Sequence, residues 1–204
     1  MDILSPISDF EEIVQRVANG EVFLYPTDTV AGIGCDATNG DSVAKIFDIK
    51  SRDSKKSVSF AFCSINHMRE FVDLSDKWDN LLSLLPGGLT LVLNQKAGSP
   101  KLHGISTPTI GARIPDVPWL LRLISRLNVP IVTTSANISG ERPESHFDKT
   151  SSAILNGVDF AIPWEGELSG KPSTVISLVE DAVLLREGLI SKVKLNELIG
   201  TKTF

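Results

Sequence analysis

Val22-Phe23-Leu24-Tyr25-Pro26-Thr27-Asp28-Thr29-Val30-Ala31-Gly32-Ile33-Gly34 is the stretch on which the reading of this chain turns. Four apolar residues in succession read as a buried strand, and Pro26, which lacks an N–H, ends it. The hydroxyls, carboxylate and two glycines that follow predict a turn through Gly34 whose backbone can approach a ligand closely. On spacing alone the same residues also fit an ordinary turn in which Asp28 and Thr29 bond the local backbone. The third glycine of a dinucleotide fingerprint is missing, and Lys171 before Pro172 rules out a P-loop at Gly166 to Pro172.

Outward from this stretch, strands and helices alternate. Phe10, Ile13, Val14 and Val17 recur at helical spacing, with Ser8 or Asp9 as N-cap and Gly20 as stop. Asp41 is predicted to cap a second helix through about Ile49, and Asn66 a short one after a strand at Val58 to Cys63. Leu81, Leu82, Leu84 and Leu85 form a further helical face ended by Pro86-Gly87-Gly88. Strands are expected at Leu89 to Leu93, Ile110 to Ile114, Val129 to Thr133, Phe160 to Ile162, Thr174 to Ile176 and Val183 to Leu185. Helices are expected at Pro118 to Leu127 and near Ala153 to Leu155, the latter after a polar connection from Gly140 to Ser152. Lys96 to Thr109, rich in Gly, Pro, Ser and Thr, reads as a mobile excursion and a candidate lid. The alternation indicates a layered α/β domain, a single one over residues 1–204.

The chain has 204 residues, 42% of them hydrophobic, enough for a substantial core. A net charge of -5 and a pI near 5.2 argue against a generally basic nucleic-acid coat. Cys35 and Cys63 stand far apart without metal-ligand spacing, so neither a disulfide framework nor a structural zinc site is suggested. No targeting leader or membrane span is seen, so a cytoplasmic protein is expected.

Charge is nevertheless concentrated. Between Lys45 and Lys56 five cations (Lys45, Lys50, Arg52, Lys55, Lys56) face only Asp48 and Asp53, a local balance of +3. If the helix has ended by Lys50, Lys50 and Arg52 point the same way and converge on one phosphate; the alternative is a solvated helix end. Ser135 and Asn137 stand just beyond a strand, where open α/β sheets place ligands, although Ser and Asn also cap helices. Arg113, in the apolar segment Gly111 to Pro115, needs a carboxylate or phosphate partner, and Arg186 raises the same question. No Ser-His-Asp triad is present, and neither cysteine has an evident catalytic partner.

The order and spacing of these segments resemble the YrdC-like family, whose enzymatic members are threonylcarbamoyl-AMP synthases. The resemblance rests on the Tyr-Pro-Thr-Asp-Thr turn with Gly32-Ile33-Gly34, Lys50-x-Arg52, Pro86-Gly87-Gly88-Leu89-Thr90 and Arg113-Ile114-Pro115-Asp116. Further matches are Thr134-Ser135-Ala136-Asn137-Ile138-Ser139-Gly140, Pro172-Ser173-Thr174-Val175-Ile176 and Leu185-Arg186-Glu187-Gly188. It implies a three-layer α/β domain with a twisted mixed sheet and a central, positively lined cleft, in the short single-domain form.

The resemblance also implies the chemistry. ATP, brought with Mg2+, meets L-threonine and bicarbonate or CO2, and a nucleotidyltransferase reaction gives threonylcarbamoyl-AMP and pyrophosphate. A downstream complex would pass the group to tRNA, with weak direct tRNA binding as a secondary expectation. Carried over by position, Lys50, Arg52, Ser135 and Asn137 would act at the triphosphate, with Lys56, Thr109 and Arg186 as further ATP contacts. Thr29, Arg113, Thr133 and Ser173 would form the threonine pocket, Arg113 pairing with the amino-acid carboxylate. No metal-binding side chain is expected, because Mg2+ would be held by phosphates and water. Ala31 stands where the family usually has Tyr, Ala61 where many members have His, and Asp53 where Pro is usual. Two other readings stand beside this one: a non-catalytic RNA-binding protein of the same fold, and a sister enzyme using another amino acid.

Overall fold

The computed structural model describes residues 1–142 and 144–199. Among these residues ten strands form one mixed sheet: β1 (Asp2–Ile3), β2 (Phe23–Tyr25), β3 (Gly32–Asp36), β4 (Ser59–Ala61), β5 (Leu89–Asn94), β6 (Thr109–Arg113), β7 (Ile131–Ser135), β8 (Phe160–Ala161), β9 (Thr174–Ser177) and β10 (Val183–Arg186). Their spatial order is β1-β8-β2-β3-β7-β4-β6-β5-β9-β10. The β4–β6 and β5–β9 pairs are parallel, whereas β2–β3, β3–β7, β4–β7 and β5–β6 are antiparallel. Seven helices accompany the sheet: α1 (Phe10–Ala18), α2 (Gly40–Ile49), α3 (Ile65–Met68), α4 (Asp79–Leu82), α5 (Pro118–Leu127), α6 (Ser152–Gly157) and α7 (Lys192–Ile199).

Two apolar clusters define the layers. On one face Phe10, Ile13 and Val17 of α1 and Leu120, Leu123 and Ile124 of α5 pack on Phe23, Tyr25, Ile131 and Phe160. On the other, Val43, Ile46 and Phe47 of α2 and Ile154 of α6 pack on Leu24, Ile33, Cys35, Val132 and Phe60. Alternation of strand side chains sends neighbours such as Phe23 and Leu24 to opposite clusters. Each fully buried Leu, Ile or Phe contributes about 1.5–3 kcal/mol to holding the layers together.

Local chemistry explains where expectation and structure part. The predicted turn through Gly34 is shorter, because β3 begins at Gly32 and returns antiparallel to β2. Asn39, not Asp41, caps α2, its side chain accepting from the N–H groups of Asp41 and Ser42 at 3.1 Å; Asp41 instead favours the positive helix start. Ser64 rather than Asn66 caps α3, accepting from His67 N–H. The short β1 and the helix α7 lacked a periodic signal. The excursion from Lys96 to Thr109 is anchored along part of its length: Leu102 is buried, His103 N–H bonds Ala37 O, and Val58 N–H bonds Gly104 O. Pro143, within the connection from Gly140 to Ser152, and residues 200–204 lie outside the described residues.

Candidate active site

Glycines and a tyrosine clear the floor of the site. Register pairs Tyr25 with Gly32, Gly32 with Ser135 and Gly34 with Thr133, so all five share the α1/α5 face of the sheet. A Cβ at Gly32 would lie 3.0 Å from Tyr25 Cζ, and one at Gly34 3.0 Å from Tyr25 Cε1. The absence of side chains there lets the Tyr25 ring lie across β3, where its hydroxyl donates to Thr133 Oγ1 at 2.9 Å. Tyr25 is fully buried, and burial pushes its phenol up to about 12. Ser59 pairs with Thr133 across β4 and β7 and with Gly111 across β4 and β6, which brings Arg113, two residues beyond Gly111, to the same face.

Beyond the packed rings this face opens into a cavity of about 590 Å3, within the roughly 300–1,000 Å3 typical of small-molecule sites. Its lining includes Thr29, Ala31, Arg52, Ser57, Ser59, Thr90, Arg113, Thr133, Ser135, Asn137, Glu141, Arg142, Ser173 and Arg186. Four arginines face one glutamate there, a balance of +3 in a chain of net charge -5. Such a cavity raises the local concentration of anions.

The turn after Tyr25 is ordered by its hydroxyls. Thr27 Oγ1 donates to Val30 O at 2.7 Å and accepts from the N–H groups of Thr29 and Val30. Asp28 is thereby presented to Arg113, whose Nη2 donates to Asp28 Oδ1 at 2.6 Å, with side chains 8% and 11% exposed. Arg113 Nη1 also reaches Thr29 Oγ1 at 3.5 Å, while Arg113 Nε and Asp28 Oδ2 are buried without partners among the described residues. Arg113 thus makes the internal ion pair and also lines the cavity. Ser173 bonds Thr90 through their hydroxyls at 2.8 Å, and Arg186 donates to Ser173 O from Nε and Nη2. Although Arg186 as a whole is exposed, desolvation of its guanidinium end against Ser173 lowers its pKa, and the nearby charge of Arg113 adds to this. Ser169 Oγ donates to Thr29 O at 2.8 Å, tying the segment that supplies Gly170 and Pro172 to the turn.

Eight of the eleven site residues expected from sequence therefore border one cavity: Thr29, Arg52, Arg113, Thr133, Ser135, Asn137, Ser173 and Arg186. Lys50, Lys56 and Thr109 do not border it. Lys50 belongs neither to a solvated helix end nor to the cavity wall. It is 1% exposed, and its Nζ donates to Ser135 O and to Asn137 O, the latter at 2.7 Å. The reason is how α2 ends. Ser51 takes a left-handed φ of 46°, Ser51 N–H bonds Asp48 O and Arg52 N–H bonds Phe47 O, a Schellman closure that sends Lys50 inward and Arg52 toward the cavity. Burial, then the neighbouring Arg52 charge, lowers the Lys50 pKa to about 8. Lys56 is exposed and meets Arg52 only through its backbone oxygen. Thr109 opens β6, where its hydroxyl bonds that of Thr107 at 3.1 Å.

Arg52 donates to Ser57 O at 2.7 Å, and burial lowers its pKa. Asn137 Nδ2 donates to Glu141 O at 2.7 Å and Ile138 O at 2.8 Å, leaving its buried Oδ1 without a partner among the described residues. Ala31 lines the cavity, whereas Ala61 is buried in the α1/α5 cluster. Ser57, Ser59, Thr90 and Arg142 were not singled out from sequence; single serines in strands and loops carry no signal until register gathers them. Cys63 does have a partner, its Sγ lying 3.3 Å from His67 Nδ1. Burial raises the thiol and lowers the imidazole, both shifts favouring the uncharged forms, and neither residue lines the cavity.

The family model for Sua5, YciO and YrdC proteins, described as telomere recombination, matches residues 15–188. A Methanocaldococcus jannaschii relative is 34% identical over 187 residues, 91% of this chain and 88% of its own. A Photobacterium profundum relative named threonylcarbamoyl-AMP synthase is 31% identical over 89% of this chain and all of its own. Among solved structures, P. abyssi Sua5 complexed with L-threonine superposes with a TM-score of 0.87 at 25% identity, covering 98% of this chain. This chain spans only 61% of the length of that one. E. coli YciO gives a TM-score of 0.78 at 26% identity over 88% and 89% of the two chains. The chain belongs to the Sua5/YciO/YrdC family.

Proposed function

We propose that this chain is a threonylcarbamoyl-AMP synthase, a nucleotidyltransferase that makes threonylcarbamoyl-adenylate and pyrophosphate from L-threonine, bicarbonate or CO2, and ATP. The supporting observation is that the buried set Thr29, Arg113, Thr133 and Ser173 and the more open set Arg52, Ser135, Asn137 and Arg186 border the same cavity. The chemistry needs no protein nucleophile. The threonine amine takes up CO2 to form a carbamate, whose oxygen attacks the α-phosphate of ATP, and the electron pair of the broken P–O bond leaves with pyrophosphate. The protein's part is to hold two anions in contact and to stabilise charge gathering on the leaving group.

In this reading Arg113 binds the threonine carboxylate with donors not spent on Asp28, while Arg52 and Arg186 face the phosphates. Lys50 acts from behind the wall, fixing the backbone that carries Ser135 and Asn137. Mg2+ enters with ATP. Among the described residues no group of three His, Cys, Asp or Glu could hold an ion, and Glu141 is the sole carboxylate bordering the cavity, so phosphates and water suit the metal better than a protein cage. The product would pass to a tRNA-modifying complex in the cytoplasm, and residues 1–204 would act as one catalytic domain.

With Mg-ATP, purified protein is expected to release pyrophosphate only when both L-threonine and bicarbonate are present. Release that ignores threonine, or no release, would refute the proposal. Ala31 on the cavity wall favours a second reading, in which another amino acid replaces threonine; the same assay with an amino-acid panel separates the two.

A further inference from the structure

We propose that Tyr25 is a positioning residue that fixes the polarity of the amino-acid pocket, forcing the Thr133 hydroxyl to donate its hydrogen into the cavity. This rests on the reading of that pocket as the threonine site. Tyr25 OH donates to Thr133 Oγ1, and the Thr133 hydrogen has no other acceptor among the described residues. Thr133 lines the cavity and is 7% exposed, so the cavity is the direction left for that hydrogen. A hydroxyl otherwise free to rotate thus becomes a donor aimed at a ligand oxygen.

Thr29 carries the opposite polarity. The one hydrogen of Thr27 Oγ1 is committed to Val30 O at 2.7 Å, so the 2.9 Å contact between Thr27 and Thr29 must use the Thr29 hydrogen. Thr29 Oγ1 also accepts from Arg113 and keeps only acceptor capacity toward a ligand. The pocket therefore calls for a ligand with an oxygen lone pair at Thr133 and an O–H or N–H at Thr29. An amino acid can supply both, with a carboxylate or side-chain oxygen at Thr133 and an amine or side-chain hydroxyl at Thr29; the side-chain hydroxyl of a hydroxy amino acid adds a second way to meet each demand. Gly32 and Gly34 belong to the same device, because a side chain at either would displace the ring that carries the hydroxyl.

The test is an L-threonine titration by calorimetry of four proteins: unsubstituted, Tyr25→Phe, Thr133→Val and the double variant. Loss of one hydrogen bond of ordinary strength predicts about tenfold weaker binding for Tyr25→Phe, and no further loss when the change is added to Thr133→Val. Unchanged binding in Tyr25→Phe, or an equal loss in both backgrounds, would overturn the inference. Should Tyr25→Phe fail to fold, the chain's single tyrosine allows uniform replacement by 3-fluorotyrosine. Its one fluorine resonance is expected to shift on saturation with L-threonine and to lose that shift in Thr133→Val; a resonance indifferent to threonine overturns the inference. If the unsubstituted protein does not bind L-threonine, the functional reading fails and this inference with it. Normal binding without coupling between Tyr25 and Thr133 removes the inference alone.

Discussion

The two walls of the cavity are built on different principles. On one, Thr29, Arg113, Thr133 and Ser173 are each no more than 7% exposed and are held by side-chain bonds to Thr27, Asp28, Tyr25 and Thr90. On the other, Arg52, Ser135 and Asn137 are half-buried and Glu141, Arg142 and Arg186 are exposed, with Arg52 and Asn137 bonding nearby backbone oxygens. The first wall is pre-organised, so a ligand there meets groups that need no reordering. The second holds charges on loops and an edge strand, which suits a flexible, highly charged ligand whose own phosphates complete the arrangement.

Breaking the first wall should have the largest effect. Arg113→Ala leaves Asp28 buried without its partner, a change that typically costs about 3–5 kcal/mol. A clear drop in melting temperature together with loss of L-threonine binding is expected, and a variant that melts like the parent would deny the contrast. On the second wall Arg52→Ala should cut pyrophosphate release by roughly 10- to 100-fold, the worth of one charge-assisted contact. Its melting temperature should stay within about 2 °C of the parent, since half-exposed sites contribute little to stability. Asn137→Ala falls between them. Loss of its bonds to Glu141 O and Ile138 O should cost about 1 kcal/mol of stability, with the turnover defect exceeding any change in threonine affinity.

The smallest effect concerns Lys50, which stiffens the second wall from behind. Its folded pKa, about 8, lies below the ordinary 10.5. Between those values the unfolded chain binds the additional proton, so the linkage term makes stability rise with pH. Relative to Lys50→Met, the parent should therefore gain stability from pH 8 to pH 10.5. Denaturant melts across that range check the sign; a flat difference would show that the ammonium is not penalised by burial.

Much of the fold was legible because it depends on local pattern. α5 spans Pro118–Leu127, the bounds expected from its leucines, and the strands near Leu89, Ile110 and Thr174 follow from short apolar runs. Caps were less legible: Asn39 and Asp41 are equally good on paper, and only the chain's path shows which oxygen meets the free N–H groups. Within the site, Arg52, Asn137 and Arg113 were readable as polar groups in unusual settings. Lys50 was misplaced for a reason of geometry. Two residues apart in an extended chain point alike, but Ser51 adopts a left-handed conformation and separates Lys50 from Arg52.

By itself the sequence determined the alternation of strands and helices, the positive patch in an acidic chain, and the ordered motifs that mark the family, because each is written in neighbouring residues. Tertiary structure alone decided that Asp28 serves Arg113, that Gly32 and Gly34 make room for Tyr25, and that Ser59, Thr90 and Arg142 join the same cavity. Those relations depend on strand register and on which hydrogen of each hydroxyl is already committed, and both are set only when distant segments are packed side by side.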